Sequence, residues 1–147
     1  EGKTLYVPLN DMKDTHDGKV WLNRKPGMHS LNSENGKILW SSITDKECKE
    51  IDINCDPGIS AAVTAIPGAV IAGHLDGMIR VYDKENGEIL WSFNSLGNYE
   101  SISGTPASGG SFSGSGPSIR NGYMAINSGY GLYNHMPGNA LLLFSIE

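Results

Sequence analysis

The chain has 147 residues and a net charge of −5 at pH 7, with 18% charged residues and 19 glycines. This acidic balance argues against a nucleic-acid-binding surface, which needs clustered Lys and Arg, and no apolar run approaches the roughly 20 residues of a membrane span. The glycine content and the lack of a sustained helical apolar period favour an all-β chain rich in turns.

The first part of the chain predicts three strands, at residues 4–7, 28–32 and 37–41. Asn35 and Gly36 separate the last two strands. Asn-Gly between apolar runs predicts a tight hairpin, because both residues tolerate the positive φ that such a turn needs.

The second part predicts a four-stranded antiparallel meander, whose strands are labelled A to D. Its strands are expected at residues 59–66, 69–73, 78–82 and 88–93, with turns at Pro67-Gly68, Asp76-Gly77 and Asn86-Gly87. By comparison, the first part supplies strands B, C and D of a similar unit.

The third part predicts strands A, B and C at residues 116–120, 123–127 and 140–145, with Asn121-Gly122 as the first turn. The order along the chain is therefore B-C-D, A-B-C-D, A-B-C. The corresponding blade parts lie at about 1–43, 59–94 and 116–147.

An internal repeat supports this division. Residues 29–42 match residues 80–93 at a spacing of 51 positions, and both copies contain Glu-Asn-Gly and Ile-Leu-Trp-Ser. Repeated four-stranded meanders are β-propeller blades, and propellers typically close with 4–8 of them. One full and two partial blades do not close a ring, so we expect the C-terminal portion of a larger propeller. The remaining blades would come from the same protein or from other copies of the chain.

The long connections predict a functional face. Both A–B turns and both C–D turns are tight, whereas most B–C and D–A connections are long. Connections longer than about 12–15 residues are uncommon in compact domains unless they serve a function. The long ones lie at about residues 9–27, 43–58, 94–115 and 129–138.

Cys48 and Cys55 are close in sequence and lack a metal-binding spacing such as Cys-x-x-Cys. We predict a small disulfide loop in preference to two free thiols, which implies an oxidising compartment such as a periplasm or the extracellular space.

Other chemistry-bearing residues have competing interpretations. Trp40 and Trp91 are expected to dock neighbouring sheets rather than to flank a planar ligand, and Trp21 is the better candidate for a ligand contact. The acidic loop 11–18 offers oxygen ligands for calcium or forms a solvated loop. His135 lies on the predicted functional face, with Tyr133 nearby. His29 and His74 are expected to be satisfied locally, and the Ser/Gly segment 108–116 forms either a flexible loop or a backbone ligand contact.

The repeat around residues 83–91 resembles that of pyrroloquinoline quinone (PQQ) dehydrogenase propellers, with Asn32 in place of the usual Asp in the first copy. The C-terminal third is similar to the last blades of polyvinyl-alcohol-dehydrogenase-like quinoproteins. The segments that carry this second resemblance are residues 109–111, 116–117, 127–131 and 136–145.

The resemblance implies a periplasmic or secreted PQQ-dependent dehydrogenase that oxidises an alcohol, with Ca²⁺ as a second cofactor and a cytochrome c as a possible electron acceptor. The alternative is a non-catalytic propeller that serves as a protein-binding scaffold. The catalytic base is expected in the rest of the propeller. The implied cofactor contacts are Gly109, Gly110, Ser111, Asn127, Tyr130 and Asn139.

Overall fold

The computed structural model describes residues 2–11, 24–44, 55–131, 133 and 135–145. Every regular element in these ranges is a β-strand. The twelve strands are β1 (Thr4–Leu9), β2 (Gly27–Asn32), β3 (Ile38–Ile43), β4 (Thr64–Ile66), β5 (Ala69–Gly73), β6 (Met78–Asp83), β7 (Ile89–Asn94), β8 (Asn98–Glu100), β9 (Pro106–Ser108), β10 (Ser118–Arg120), β11 (Tyr123–Ser128) and β12 (Ala140–Ser145).

Three antiparallel meanders form the fold, in the predicted order. The first sheet is β1-β2-β3, the second is the complete unit β4-β5-β6-β7, and the third is β10-β11-β12. These sheets confirm one full and two partial four-stranded propeller blades. A fourth element, the hairpin β8-β9, lies within the connection between the second and third sheets. This hairpin is absent from the strand pattern predicted above.

The first strand of the second blade is shorter than predicted. Only Thr64–Ile66 pairs as β4, whereas Ile59 and Ala61 are buried without joining a sheet. Their segment bonds to other loops instead. The Ile59 amide donates to Leu9 O, and the Ala62 amide donates to Gly114 O. The first part of the predicted strand therefore connects the blades and does not belong to a sheet.

The two C–D turns share one hydrogen-bond pattern. Asn32 Oδ1 accepts from the amides of Glu34 and Asn35, and Asp83 Oδ1 accepts equivalently from the second turn. Gly36 and Gly87 have φ values of 71° and 76°, which disfavour any residue with a Cβ. Asn32 therefore replaces Asp without changing the turn, because only one side-chain oxygen is needed.

Strand β5 of the second sheet is buried on both faces because it lies between two apolar clusters. Val70 and Ala72 of β5 face the first cluster, whereas Ile71 faces the second, as the two-residue period of a strand requires. The first cluster also contains Met28, Trp40, Ile59 and Tyr82, and the second also contains Ala61, Ile79, Phe112 and Ile126. Consequently every residue of β5 is buried.

Cys48 lies outside the described residues, so its pairing with Cys55 stays a prediction. Thiol titration of the unreduced, denatured protein tests this pairing. We expect no reactive thiol per chain before reduction and two afterwards. Two reactive thiols before reduction would contradict the predicted disulfide.

Candidate functional site

Loops from all three sheets meet at one end of the molecule. The Leu75 amide donates to Gly58 O, and the Phe112 amide donates to His74 O. The Gly129 amide in turn donates to Ser111 O. The short β5–β6 turn is thus bonded to the loops before β4 and β10, and the loop before β10 is bonded to the β11–β12 connection. This end contains the described parts of the long connections from which a functional face was predicted.

Three of the predicted cofactor contacts lie inside this loop assembly. Ser111 is fully buried. Its hydroxyl donates to Leu75 O at 2.5 Å and accepts from the Met136 amide at 3.1 Å. The Gly110 amide donates to Ser128 Oγ at 2.9 Å. A Cβ on Gly109 would lie only 1.7 Å from Ser95 O, so glycine permits close backbone packing at that position.

Tyr130 and Asn139 occupy a different place. The Tyr130 hydroxyl donates to Asn139 O at 2.9 Å, and Asn139 Oδ1 accepts from the Ser108 amide at 2.8 Å. Both residues line a groove of about 680 Å³ between the β8-β9 hairpin and β12. Asn127 is exposed on β11 opposite Leu141 and does not line the groove. The six predicted contacts are therefore not brought together, and their contact with a cofactor stays a prediction.

Sequence reasoning did not identify a polar cluster on the loop face, formed by Asp56, Arg24 and His135. Asp56 is 8% exposed, and its Oδ1 accepts from the Gly58 amide at 3.1 Å. Arg24 Nη2 lies 3.8 Å from the same oxygen, which is longer than a hydrogen bond. The Arg24 Nε atom donates to Asp11 O at 2.7 Å, which fixes the guanidinium beside Asp56.

Burial sets the protonation behaviour of this cluster. Desolvation raises the pKa of Asp56, although the Gly58 amide, Arg24 and His135 each act to lower it. Desolvation also lowers the pKa of His135 against the opposing effect of Asp56. Both shifts favour the neutral forms, as expected for polar groups withdrawn from water. Asp56 is therefore a stronger proton acceptor, when ionised, than an exposed aspartate.

Three buried polar atoms near the cluster lack hydrogen-bond partners within the described residues: Arg24 Nη2, Asn10 Oδ1 and Ser113 Oγ. A Cβ on Gly58 would lie 2.6 Å from Asn10 Oδ1, and a Cβ on Gly131 would lie 3.5 Å from both Ser113 Oγ and the His135 Cβ. The atoms thus flank the Asp56 loop and His135. Buried unpaired polar atoms are uncommon, and a small polar ligand or water would satisfy them.

A second network lies beneath Asp56 and connects its loop to the core. The fully buried His74 donates from Nδ1 to Pro57 O at 3.1 Å, because a carbonyl can only accept. Its Nε2 therefore accepts from the Tyr82 hydroxyl at 2.7 Å. Desolvation, assisted by the positive charge of Arg80, lowers the pKa of His74 to about 3. Arg80 itself forms a buried two-point ion pair with Asp76, at 2.7 and 3.2 Å.

The other residues predicted to carry chemistry lie outside this cluster or outside the described residues. His29 is satisfied locally by Ser41 Oγ and Lys25 O, as predicted. Trp21 and most of the acidic loop lie outside the described residues. No group of three or more His, Cys, Asp or Glu side chains suited to a metal occurs in the described ranges. Those ranges also contain no apolar helix of membrane-spanning length.

Comparison with known sequences identifies two relatives named polyvinylalcohol dehydrogenase. One, from Pseudomonas sp., is 32% identical over 157 aligned positions, which cover 100% of this chain and 24% of the relative. The other, from Sphingopyxis sp. (strain 113P3), is 31% identical over 135 positions, which cover 84% of this chain and 21% of the relative. The chain thus spans about a quarter of the length of these relatives. No protein-family profile matches it.

Comparison with solved structures gives an independent result for the fold. The quinohemoprotein alcohol dehydrogenase from Pseudomonas putida HK5 matches with a TM-score of 0.50 and 22% identity, over 69% of this chain and 14% of that protein. The enzyme of the same name from Comamonas testosteroni matches with a TM-score of 0.50 and 21% identity, over 73% and 15%. At such identities the likeness concerns the fold alone. The chain is therefore a segment of a β-propeller that is similar over its whole length to part of the polyvinylalcohol dehydrogenases.

Proposed function

We propose that this chain forms part of a PQQ-dependent quinoprotein dehydrogenase that oxidises an alcohol. The relatives' names support the reaction class. The observation that carries the proposal within this chain is the largely buried pair of Asp56 and Arg24 on the loop face. Its separation of 3.8 Å leaves the carboxylate and the guanidinium without a direct hydrogen bond.

A hydroxyl group fits this pair chemically. An alcohol O–H donates to the Asp56 carboxylate, and the same oxygen accepts from the unpaired Arg24 Nη2 atom. Neither a carboxylate nor an ammonium ligand satisfies both groups, because each would face a like charge when Asp56 is ionised. The pair therefore favours a neutral ligand that both donates and accepts.

In this proposal, Asp56 acts as the general base, which departs from the expectation above that the base lies in the rest of the propeller. Oxidation of an alcohol to a carbonyl removes one proton from oxygen and the equivalent of a hydride from carbon. Asp56 takes the proton, and Arg24 holds the oxygen while its negative charge develops. The raised pKa of Asp56 brings its proton affinity closer to that of a base working near neutral pH. PQQ, when bound, supplies the acceptor for the hydride equivalent.

The described residues offer a contact for PQQ, whereas Ca²⁺ is implied by the family resemblance alone. The unpaired Arg24 Nη2 atom suits a neutral quinone oxygen, so Arg24 is the described residue that we propose to hold PQQ. Ca²⁺ belongs to the proposal by family resemblance. A periplasmic or secreted location and a cytochrome c electron acceptor are further parts of the same proposal.

Substitution of Asp56 tests the proposal in the intact protein that contains this chain. PQQ binding is measured by spectral titration with Ca²⁺, and turnover is then measured with alcohols and a dye acceptor. We expect Asp56→Asn to lower kcat by about 100-fold, a typical contribution of general-base catalysis, while PQQ still binds. In the unsubstituted protein, activity should rise with pH as Asp56 loses its proton, and this rise should be absent from the variant.

Glu85→Gln is the matched control, because it removes one carboxylate from an exposed turn and should leave kcat unchanged. An Asp56→Asn variant with unchanged kcat and pH profile would exclude Asp56 as the base. If the unsubstituted protein neither binds PQQ nor reduces the dye, the scaffold alternative is favoured.

A further inference from the structure

Asn-Gly pairs occur at residues 35–36, 86–87 and 121–122, and each pair lies in the turn between two paired strands. Asn-Gly is especially prone to spontaneous deamidation, because glycine has no side chain to hinder attack by its own nitrogen on the preceding side-chain amide. The reaction requires a glycine amide that is not held by an acceptor and an asparagine side chain that can rotate. The hydrogen bonds of a turn therefore decide how readily its Asn-Gly pair reacts.

The two C–D turns hold both reacting groups of their Asn-Gly pairs. The Gly36 amide donates to Asn32 O at 2.8 Å, and Asn35 Oδ1 accepts from the Lys37 amide at 2.9 Å. The turn at residues 83–88 repeats these two hydrogen bonds, at 3.0 Å and 2.8 Å. In each C–D turn, the glycine nitrogen and the asparagine side chain are thus fixed by separate partners.

The turn between β10 and β11 differs in this respect. Asn121 and Gly122 are exposed and connect the paired residues Arg120 and Tyr123. Within the part of the chain that the structure describes, neither the Asn121 side chain nor the Gly122 amide forms a hydrogen bond. A Cβ on Gly122 would meet no described heavy atom within 4 Å. Both reacting groups are therefore free to approach each other.

We propose that Asn121 is a site of spontaneous deamidation and that it reacts faster than Asn35 and Asn86. The Gly122 nitrogen loses its proton to water and bonds to Asn121 Cγ, and the side-chain nitrogen takes up a proton and leaves as ammonia. Water then opens the resulting succinimide to aspartate or isoaspartate. The net change replaces the side-chain NH₂ group by OH and needs neither an oxidant nor a reductant. This site is independent of the redox function proposed above.

The two products differ in their effect on the hairpin. Aspartate leaves the main chain unchanged, and the φ of 50° at Asn121 is a conformation that Asp tolerates as Asn does. Isoaspartate adds one methylene group to the main chain of a two-residue turn, which disturbs the pairing of Arg120 with Tyr123. We therefore expect faster amide hydrogen exchange in β10 of the isoaspartate form than in the Asn121→Asp variant.

The test incubates the intact, folded protein that contains this chain at mildly alkaline pH. Samples are digested with pepsin at acid pH, where amide nitrogens stay protonated and the digestion itself adds no deamidation. Mass spectrometry then gives the deamidation rate at each Asn-Gly pair. We expect Asn121 to react about 30-fold faster than Asn35 and Asn86, which corresponds to about 2 kcal/mol for the two hydrogen bonds that the C–D turns must break.

Two controls separate the effect of the turns from that of the local sequence. In denaturant the turns are lost, so the three rates should converge. Asn32→Ala removes the oxygen that accepts from the Glu34 and Asn35 amides, and it should speed deamidation of Asn35 and leave the rate at Asn121 unchanged. A preference for Asn121 that disappears in denaturant supports the proposal. Equal or slower reaction at Asn121 in the folded protein, the same ratio of rates in denaturant, or an unchanged Asn35 rate in Asn32→Ala would overturn it.

Discussion

Trp40→Ala is expected to lower the free energy of unfolding by about 3–5 kcal/mol, the usual cost of removing a buried large aromatic side chain. Trp40 links the first two blades through its ring, which packs in the cluster with Met28 and Tyr82. Its loss also leaves Lys84 O without the indole donor. Urea denaturation followed by far-ultraviolet circular dichroism measures this loss without depending on tryptophan emission.

Two further variants separate the parts of this contact. Trp40→Phe keeps an aromatic ring but loses the hydrogen bond from the indole to Lys84 O. The loss of this hydrogen bond alone is expected to lower the free energy of unfolding by about 1 kcal/mol. Trp91→Ala should cost less than Trp40→Ala, because Trp91 is 41% exposed. If the free energies of unfolding of Trp40→Ala and the unsubstituted chain differed by less than about 1 kcal/mol, the contact made by Trp40 would not stabilise the two blades.

The blade architecture was predictable because it depends on local signals that repeat. Each C–D turn needs a side-chain acceptor at Asn32 or Asp83 and a glycine at Gly36 or Gly87, and these residues are visible in the sequence. Successive side chains of β5 and β6 point to opposite faces of the sheet, and this alternation determines which residues face each cluster. Such local determinants do not depend on residues elsewhere in the molecule.

The departures from prediction arise where the local pattern is too short or where a distant segment supplies the hydrogen-bond partner. The β8-β9 hairpin contains Pro106 and only three residues a strand, so it carries little periodic signal. Conversely, Ile59 has a strand-like apolar context, but its amide bonds to Leu9 O across the blades. The partner of Ile59 is remote in sequence, whereas β8 and β9 pair within one local hairpin.

The candidate site shows the same limitation more strongly. The family resemblance implies Ser111 as a cofactor contact on one of the long loops, but the Ser111 hydroxyl bonds two other loops. Asp56, by contrast, lies in an ordinary Asp-Pro-Gly turn. Its burial arises only when the loops carrying Arg24 and His135 fold over it. Its position on the long-loop face, shortly before the predicted strand 59–66, was the one available signal.

Acid is expected to destabilise this protein through His74. Its pKa is about 3 in the folded protein, against 6.5 for an unperturbed histidine, so the unfolded chain binds the proton first. The contribution is fully present above pH 6.5 and is lost as the pH falls from 6.5 towards 3. At pH 4.5 the expected loss is about 3 kcal/mol, from two pH units at 1.36 kcal/mol each.

The hydrogen bonds explain why His74 resists protonation. A proton on Nε2 would make that atom a donor and displace the Tyr82 hydroxyl from its role as donor, while the charge would face Arg80 in a buried setting. Asp56 acts in the opposite direction. Because its folded pKa is raised, its desolvation penalty is relieved as the pH falls towards 3.8, and this relief offsets part of the loss due to His74.

His74→Gln isolates the histidine term, since an amide donates and accepts hydrogen bonds but does not titrate in this range. Urea denaturation at several pH values between 7 and 4 should give a steep fall in the unfolding free energy for the unsubstituted chain and a shallower fall for the variant. His135→Gln is the comparison, because His135 is less buried than His74 and should change the slope less. Equal slopes for His74→Gln and the unsubstituted chain would mean that the loop end opens and hydrates His74 before the blades unfold, because only a hydrated imidazole would titrate alike in both states.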